Sequence, residues 1–128
     1  MFHVDEEIAR QASAWRRAAA EAPAYWDVLP RDGDRVAAIG CGSSWFMSMA
    51  FAGLREDRGQ GLTDAYTASE FNARRPYDHV VAISRSGTTS ETIALLDQLK
   101  GRVRTTAITT VAGSPITDAA DHSIVLDF

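Results

Sequence analysis

Short apolar runs alternate along this chain with helix-patterned segments, and that alternation restricts the fold more than any other feature of the sequence. VAAI at 36–39, LTDAYT at 62–67, HVVAIS at 79–84, RTTAITT at 104–110 and HSIVLDF at 122–128 each read as a strand. Between them lie a helix over about 44–55, a polar stretch at 68–78 broken by Pro76, a helix over 90–100 and a short helical turn at 114–120. Strands alternating with helices form right-handed βαβ units and a parallel sheet, so the fold class is α/β. A flavodoxin-like strand order, 2-1-3-4-5, sets the first and third strands side by side.

Ahead of the first strand, residues 5–21 (DEEIARQASAWRRAAAE) carry Ile8, Ala12 and Trp15 on one face at helical spacing. Pro23 and Pro30 bracket the short element AYWDVL, and the loop RDGD leads into the first strand. The division expected is a helical lead-in over 1–30 and one α/β domain over 31–128. A chain of 128 residues with 45% apolar content suits a single domain with a real core.

Two polar turns stand where ligands bind in open α/β sheets, at the carboxyl ends of strands where the order reverses. GCGSS (40–44) ends the first strand and SRSGTT (84–89) ends the third. Both turns open helices. A helix N-terminus offers free N–H groups and a positive dipole end, and hydroxyls beside it add hydrogen bonds to an anion. Gly87 lets the backbone pass closely around such a group. Ser84 and Ser86 precede the helix, so helix capping does not explain them. Thr88 and Glu91 fit a T-x-x-E capping box. The expectation is one phosphate held from two sides.

Other chemistries fail on particular residues. In GCGSSW, Trp45 stands where a dinucleotide fingerprint has its third glycine, and Thr67 and Ser69 replace the ribose-binding acid after the second strand. No segment matches a Walker loop. A nucleophile elbow needs a glycine where Ser84 stands in SRSGT. His3, His79, His122 and Cys41 have no metal-ligand spacing, so no metal and no cofactor are expected. His79 and His122, at strand starts, read as solvent-facing or hydrogen-bonded, and Cys41 as a small lining residue. Trp15, Trp26 and Trp45 read as core or interface, and Glu70 as the partner of Arg74 in an i,i+4 ion pair.

Charge narrows the partners. The net charge is -4 and lysine occurs once, at Lys100, which argues against nucleic acid and an anionic membrane surface. A lone cysteine cannot form an internal disulfide and fits a reducing compartment. The acidic start MFHVDEEIAR lacks a signal peptide's apolar stretch, and no apolar run has the length of a membrane span. A cytoplasmic protein is expected. The last apolar run stops at Phe128 with no helix after it, so either the chain continues or a partner covers that side.

Five segments in order resemble the SIS (sugar isomerase) domain family, over nearly the whole chain. EEIARQASAW resembles its E-I-x-Q-P opening helix, with Ala12 in place of proline. GCGSSW resembles its C-G-T-S turn, ASEFNAR its A-S-E-F-R-Y-R segment, and SRSGTTSET its S-Q-S-G-E-T-x-x-T loop. TTVAGSPITDAAD resembles its N-x-V-G-S segment. The resemblance is strongest to the first SIS domain of the isomerase half of glutamine–fructose-6-phosphate aminotransferase, and to amino-sugar-phosphate deaminases and isomerases.

That resemblance implies a flavodoxin-like αβα three-layer sandwich with a five-stranded parallel sheet, binding a hexose 6-phosphate or amino sugar 6-phosphate. Carried over by position, Ser44, Ser84, Ser86 and Thr89 hold the phosphate, with Gly87 at the turn. Cys41, Gly42 and Ser43 line the sugar. Ala112 and Ser114 lie near its C1 and C2. Arg85 stands where the aminotransferase has glutamine and Thr88 where it has glutamate. These departures favour the deaminase/isomerase side. The family's catalytic glutamate, histidine and lysine lie in a second SIS domain and tail, so no residue here is assigned a catalytic role. The resemblance implies the first of a tandem SIS pair, facing a second SIS domain in cis or in a homodimer, and inactive by itself. Two other readings stand beside it: a sugar-phosphate-sensing module of a regulator, and a single-domain isomerase whose dimer completes the site. Regulators of that kind carry a helix-turn-helix ahead of the SIS domain, where this chain has the opening helix.

Overall fold

The computed structural model describes residues 3–128. Five parallel strands, β1 (Val36–Ile39), β2 (Thr63–Tyr66), β3 (His79–Ile83), β4 (Arg104–Thr109) and β5 (His122–Val125), form one sheet in the order β2-β1-β3-β4-β5. The expected 2-1-3-4-5 order therefore holds. Val36 is in register with Thr63 on one side and His79 on the other, so β1 and β3 end together at the carboxyl edge.

The helices are α1 (His3–Glu21), α2 (Ser43–Asp57), α3 (Ser90–Leu99) and α4 (Pro115–Ala119). Single 3-10 turns occupy Ala22–Tyr25 and Ala68–Glu70. Side chains alternate across a strand, and the two faces of this sheet are covered unequally. Ala37, Ile39, Val80, Ala82 and Ala107 point to one face and pack with Leu95, Leu96 and Leu99 of α3 and Ile116 and Ala119 of α4. Ala68, Phe71 and Tyr77 close that core, so the polar stretch after β2 contributes to packing. On the other face α2 covers the β1–β2 side with Ser48, Ala52 and Arg55. Val81, Ile83, Ile108 and Leu126 instead line an open groove of about 530 Å3 beside α2.

Two local expectations fail. Thr89, not Thr88, is the N-cap of α3, and no side chain caps it. Glu70 and Arg74 do not form an ion pair among the described residues. The chain there is a 3-10 turn followed by a bend, so side chains four apart do not share a helical face. Arg75 pairs with Asp64 instead, at 3.2 Å.

The tryptophans also depart from a core role. Trp15 and Trp26 are each 68% exposed, and Trp45 is half-buried at the start of α2. His122 is exposed. His79 is fully buried, and its Nε2 lies 2.8 Å from the Thr106 hydroxyl. The single hydroxyl proton of Thr106 goes to the Val28 carbonyl, 2.5 Å away, so His79 donates from Nε2. This chain of bonds ties the segment after α1 to the amino edge of the sheet.

Candidate functional site

The first turn depends on Gly40. A β-carbon there would run into the carbonyl of Ser44 and the amide of Trp45, so only glycine lets α2 start directly above the end of β1. Gly42, at φ +56°, is the N-cap, and no side chain caps the helix. Its first-turn N–H groups are therefore not taken up by a capping side chain. Ser43 is exposed, Ser44 and Cys41 are half-buried, and the Ser44 amide donates to the Cys41 carbonyl at 3.1 Å. Ser48 donates to the Ser44 carbonyl at 2.9 Å and fixes the first turn of α2.

The second turn is organised by its own hydroxyls. Ser84 is buried; its oxygen accepts from the Gly87 amide at 3.1 Å and lies 3.0 Å from the Thr89 hydroxyl. Ser86 accepts from both the amide and the hydroxyl of Thr88, at 3.2 and 2.9 Å. Thr88 thus closes an internal turn instead of a capping box. The loop presents the N-terminus of α3 between the hydroxyls of Ser86 and Thr89.

A third segment, residues 109–114, holds this loop in place. The carbonyl of Arg85 accepts from the hydroxyls of Thr109 and Thr110, at 3.2 and 2.8 Å, and from the Thr110 amide. The Gly87 carbonyl accepts from the Ile116 amide at 3.0 Å. Sequence reasoning did not single out Thr109 and Thr110. A pair of threonines ending a strand beside two other polar strand ends was the available signal. Ser114 is buried and donates to the Val111 carbonyl at 2.7 Å, while Ala112 is exposed on the same loop.

Ser43, Ser44, Arg85, Thr109 and Thr110 line one end of a single cavity. The two turns and the third segment therefore meet at the carboxyl edge, above β1, β3 and β4. No lysine lines this cavity. Two helix N-termini point to the edge, and the only ion pair there among the described residues joins Arg85 to Glu7 at 3.7 Å, both well exposed. No group of three or more His, Cys, Asp or Glu able to hold a metal occurs among the described residues. None of their helices is long and apolar enough to cross a membrane.

Strand order and paired turns define a doubly wound α/β domain with its crevice at the point where the order reverses. Residues 31–127 match the SIS domain family, and the chain belongs to it. A glutamine–fructose-6-phosphate aminotransferase of Methanothermobacter thermautotrophicus is 33% identical over 123 residues, covering 91% of this chain and 21% of that protein. The enzyme of the same name from Thermotoga maritima is 26% identical over 108 residues, covering 80% and 18%. The chain thus spans about a fifth of the length of these relatives. Among solved structures, a Clostridium difficile 630 protein described as a phosphosugar isomerase superimposes with a TM-score of 0.83 at 10% identity, covering 95% of this chain and 37% of that one. The fold and the family are those that the motif resemblance implies.

Proposed function

We propose that this chain is the phosphosugar-binding SIS domain of an aldose–ketose or amino-sugar-phosphate isomerase or deaminase, and that its crevice takes the substrate phosphate. The observation that carries the reading is the meeting of two helix-opening hydroxyl turns, Cys41–Ser44 and Ser84–Thr89, at the carboxyl ends of adjacent parallel strands. Ser44, Ser86 and Thr89 donate hydroxyls to the phosphate, backbone amides at the start of α2 and α3 donate beside them, and Arg85 adds charge. Ser84 acts one step back, by holding Gly87 and Thr89. Gly42 and Ser43 face the sugar.

Isomerisation requires a base between C1 and C2 to shuttle a proton through an ene-diol or enolamine. No carboxylate or histidine lines the cavity among the described residues, and Glu7, beside it, is tied to Arg85, so the base is assigned to a second SIS domain, in cis or from another copy. In this reading residues 1–30 are a lead-in segment, residues 31–128 form the first SIS domain, and the domain binds without turning over. The protein works in the cytoplasm, without metal or cofactor. The similarity to the aminotransferases, and to a structural neighbour described as a phosphosugar isomerase, supports a sugar phosphate as ligand.

A thermal-shift titration with fructose 6-phosphate, glucosamine 6-phosphate and tagatose 6-phosphate tests this, with inorganic phosphate and NAD as controls. A ligand that binds only the folded state raises the melting temperature. The expected result is a saturable rise with sugar phosphates that Ser44→Ala and Ser86→Ala each weaken. A folded protein that answers none of the phosphates rules the cradle out.

A further inference from the structure

A second cavity, of about 690 Å3, lies at the amino edge of the sheet, opposite the crevice. Two loops wall it. Arg31 and Asp32 belong to the loop that leads into β1, and Arg58 and Gln60 to the loop that leads into β2. Both loops precede strands, which sets them at the end of the sheet away from Ser44 and Ser86. The walls are tied to each other. The Gly33 amide donates to the Gln60 carbonyl at 2.7 Å, and Arg55 of α2 donates to the carbonyls of Arg31 and Asp34. Trp26 also lines the cavity, with 68% of the residue still exposed.

The charge of this cavity is opposite to that of the chain. Three arginines, Arg31, Arg55 and Arg58, face one carboxylate, Asp32, although the net charge of the protein is -4. None of the three pairs with a carboxylate among the described residues. Arg55 is buried, and the acceptors of its hydrogen bonds are all neutral, two carbonyls and the Thr63 hydroxyl. A buried cation is ordinarily matched by an anion. Arg31 and Arg58 are exposed. The end of α2 does not cancel this charge, because its last carbonyls are taken. Those of Leu54, Arg55 and Glu56 accept from the amides of Arg58, Gln60 and Gly59.

We infer that this cavity binds a small organic phosphate that carries a flat ring, the phosphate between Arg31 and Arg58 and the ring stacked on Trp26. Guanidinium groups match phosphate oxygens in pairs, and here they come from two walls already held together. An exposed indole offers its face to a ring, and such stacking adds affinity without demanding one particular base. The Gln60 amide can both donate to and accept from polar atoms of the ring. None of these residues belongs to the turns at 40–44 or 84–89, so the inference does not rest on the function proposed for the crevice.

Calorimetric titration of the full chain tests it, with adenosine monophosphate, glucose 6-phosphate and pyrophosphate as probes. A Ser44→Ala/Ser86→Ala background silences the crevice, so that a hexose phosphate reports on this cavity alone. The expected result is that a ring-bearing phosphate binds roughly tenfold tighter than pyrophosphate, with affinity falling as salt rises. Arg31→Gln, Arg58→Gln and Trp26→Ala should each weaken that binding by about tenfold. All three positions are exposed, and circular dichroism confirms that the variants fold. Preference for the nucleotide assigns the ring as a nucleobase, and preference for the hexose phosphate assigns it as a pyranose. A folded chain that binds neither overturns the inference, as does binding that survives both arginine substitutions. Pyrophosphate bound as tightly as the ring-bearing probes, with no effect of Trp26→Ala, overturns it too.

Discussion

Gly87 lies so close to Ser114 that a β-carbon on the glycine would overlap the serine hydroxyl, and Thr109 stands just behind. The glycine also has φ +70°, a conformation that side chains disfavour. Loop 84–89 and loop 109–114 are therefore one packed unit, not two adjacent turns. Gly87→Ala is expected to lower stability by roughly 2 kcal/mol or more, from strain and displacement of Ser114. It should also remove the sugar-phosphate thermal shift. Urea unfolding and the titration together check this. A variant with native stability and native binding would show that the loops move independently.

The role proposed for Arg85 in the crevice is chiefly one of charge. Its pairing with Glu7 is exposed at 3.7 Å, and such pairs add about 0–1 kcal/mol. Arg85→Ala is expected to leave the melting temperature of the free protein nearly unchanged and to weaken sugar-phosphate binding by about tenfold, the loss of one charge-assisted contact. The dependence of binding on salt should become shallower. Unchanged affinity at low salt would place Arg85 outside the site.

His79 makes stability depend on pH. Burial, with Arg104 nearby, lowers its pKa from 6.5 to about 4. Its Nδ1 is buried without a partner, so a second proton has no acceptor. Between those two values the unfolded chain takes up a proton that the folded chain refuses. Stability is therefore full above the upper value and falls with pH down to the lower one, by up to ~3 kcal/mol. His79→Gln retains a donor toward Thr106 and lacks the titration. Urea midpoints for wild type and variant should converge as pH falls from neutral; parallel curves would remove His79 as the cause.

Arg55 is a buried cation, 4% exposed, that binds the loop before β1 to the strand after it. It donates to the carbonyls of Asp34 and Arg31 and to the Thr63 hydroxyl, at 2.8, 2.7 and 3.0 Å. Gly61 makes room for it, since a β-carbon there would meet the Asp34 carbonyl and the guanidinium. Arg55→Met leaves three acceptors without their donor and should cost roughly 2–4 kcal/mol. Arg55→Lys should not restore the loss, because one ammonium cannot span all three. Calorimetric unfolding of both variants decides it.

The sheet was legible because a strand covered on both faces must be apolar at consecutive positions, as VAAI and VVAI are. The two turns were legible because hydroxyls and glycines at strand ends have few structural uses. The capping box was misread: Thr88 and Glu91 have the right spacing, yet Ser86 takes the Thr88 hydroxyl first. The paired Glu70 and Arg74 were misread in the same way, since i,i+4 spacing acts only within a helix. Thr109 and Thr110 escaped notice because their role is to hold the carbonyl of a residue in another loop.

The α/β class, the strand order and the family are readable from the residues alone, since they follow from local periodicity and short motifs. Packing in three dimensions settles which face of α1 turns outward, where a groove opens beside α2, and that the loops at 84–89 and 109–114 lock together. These depend on contacts between residues far apart in the chain. Ile8, Ala12 and Trp15 are spaced alike whether they face a core or a partner. Spacing fixes which side chains share a surface; packing fixes what that surface meets.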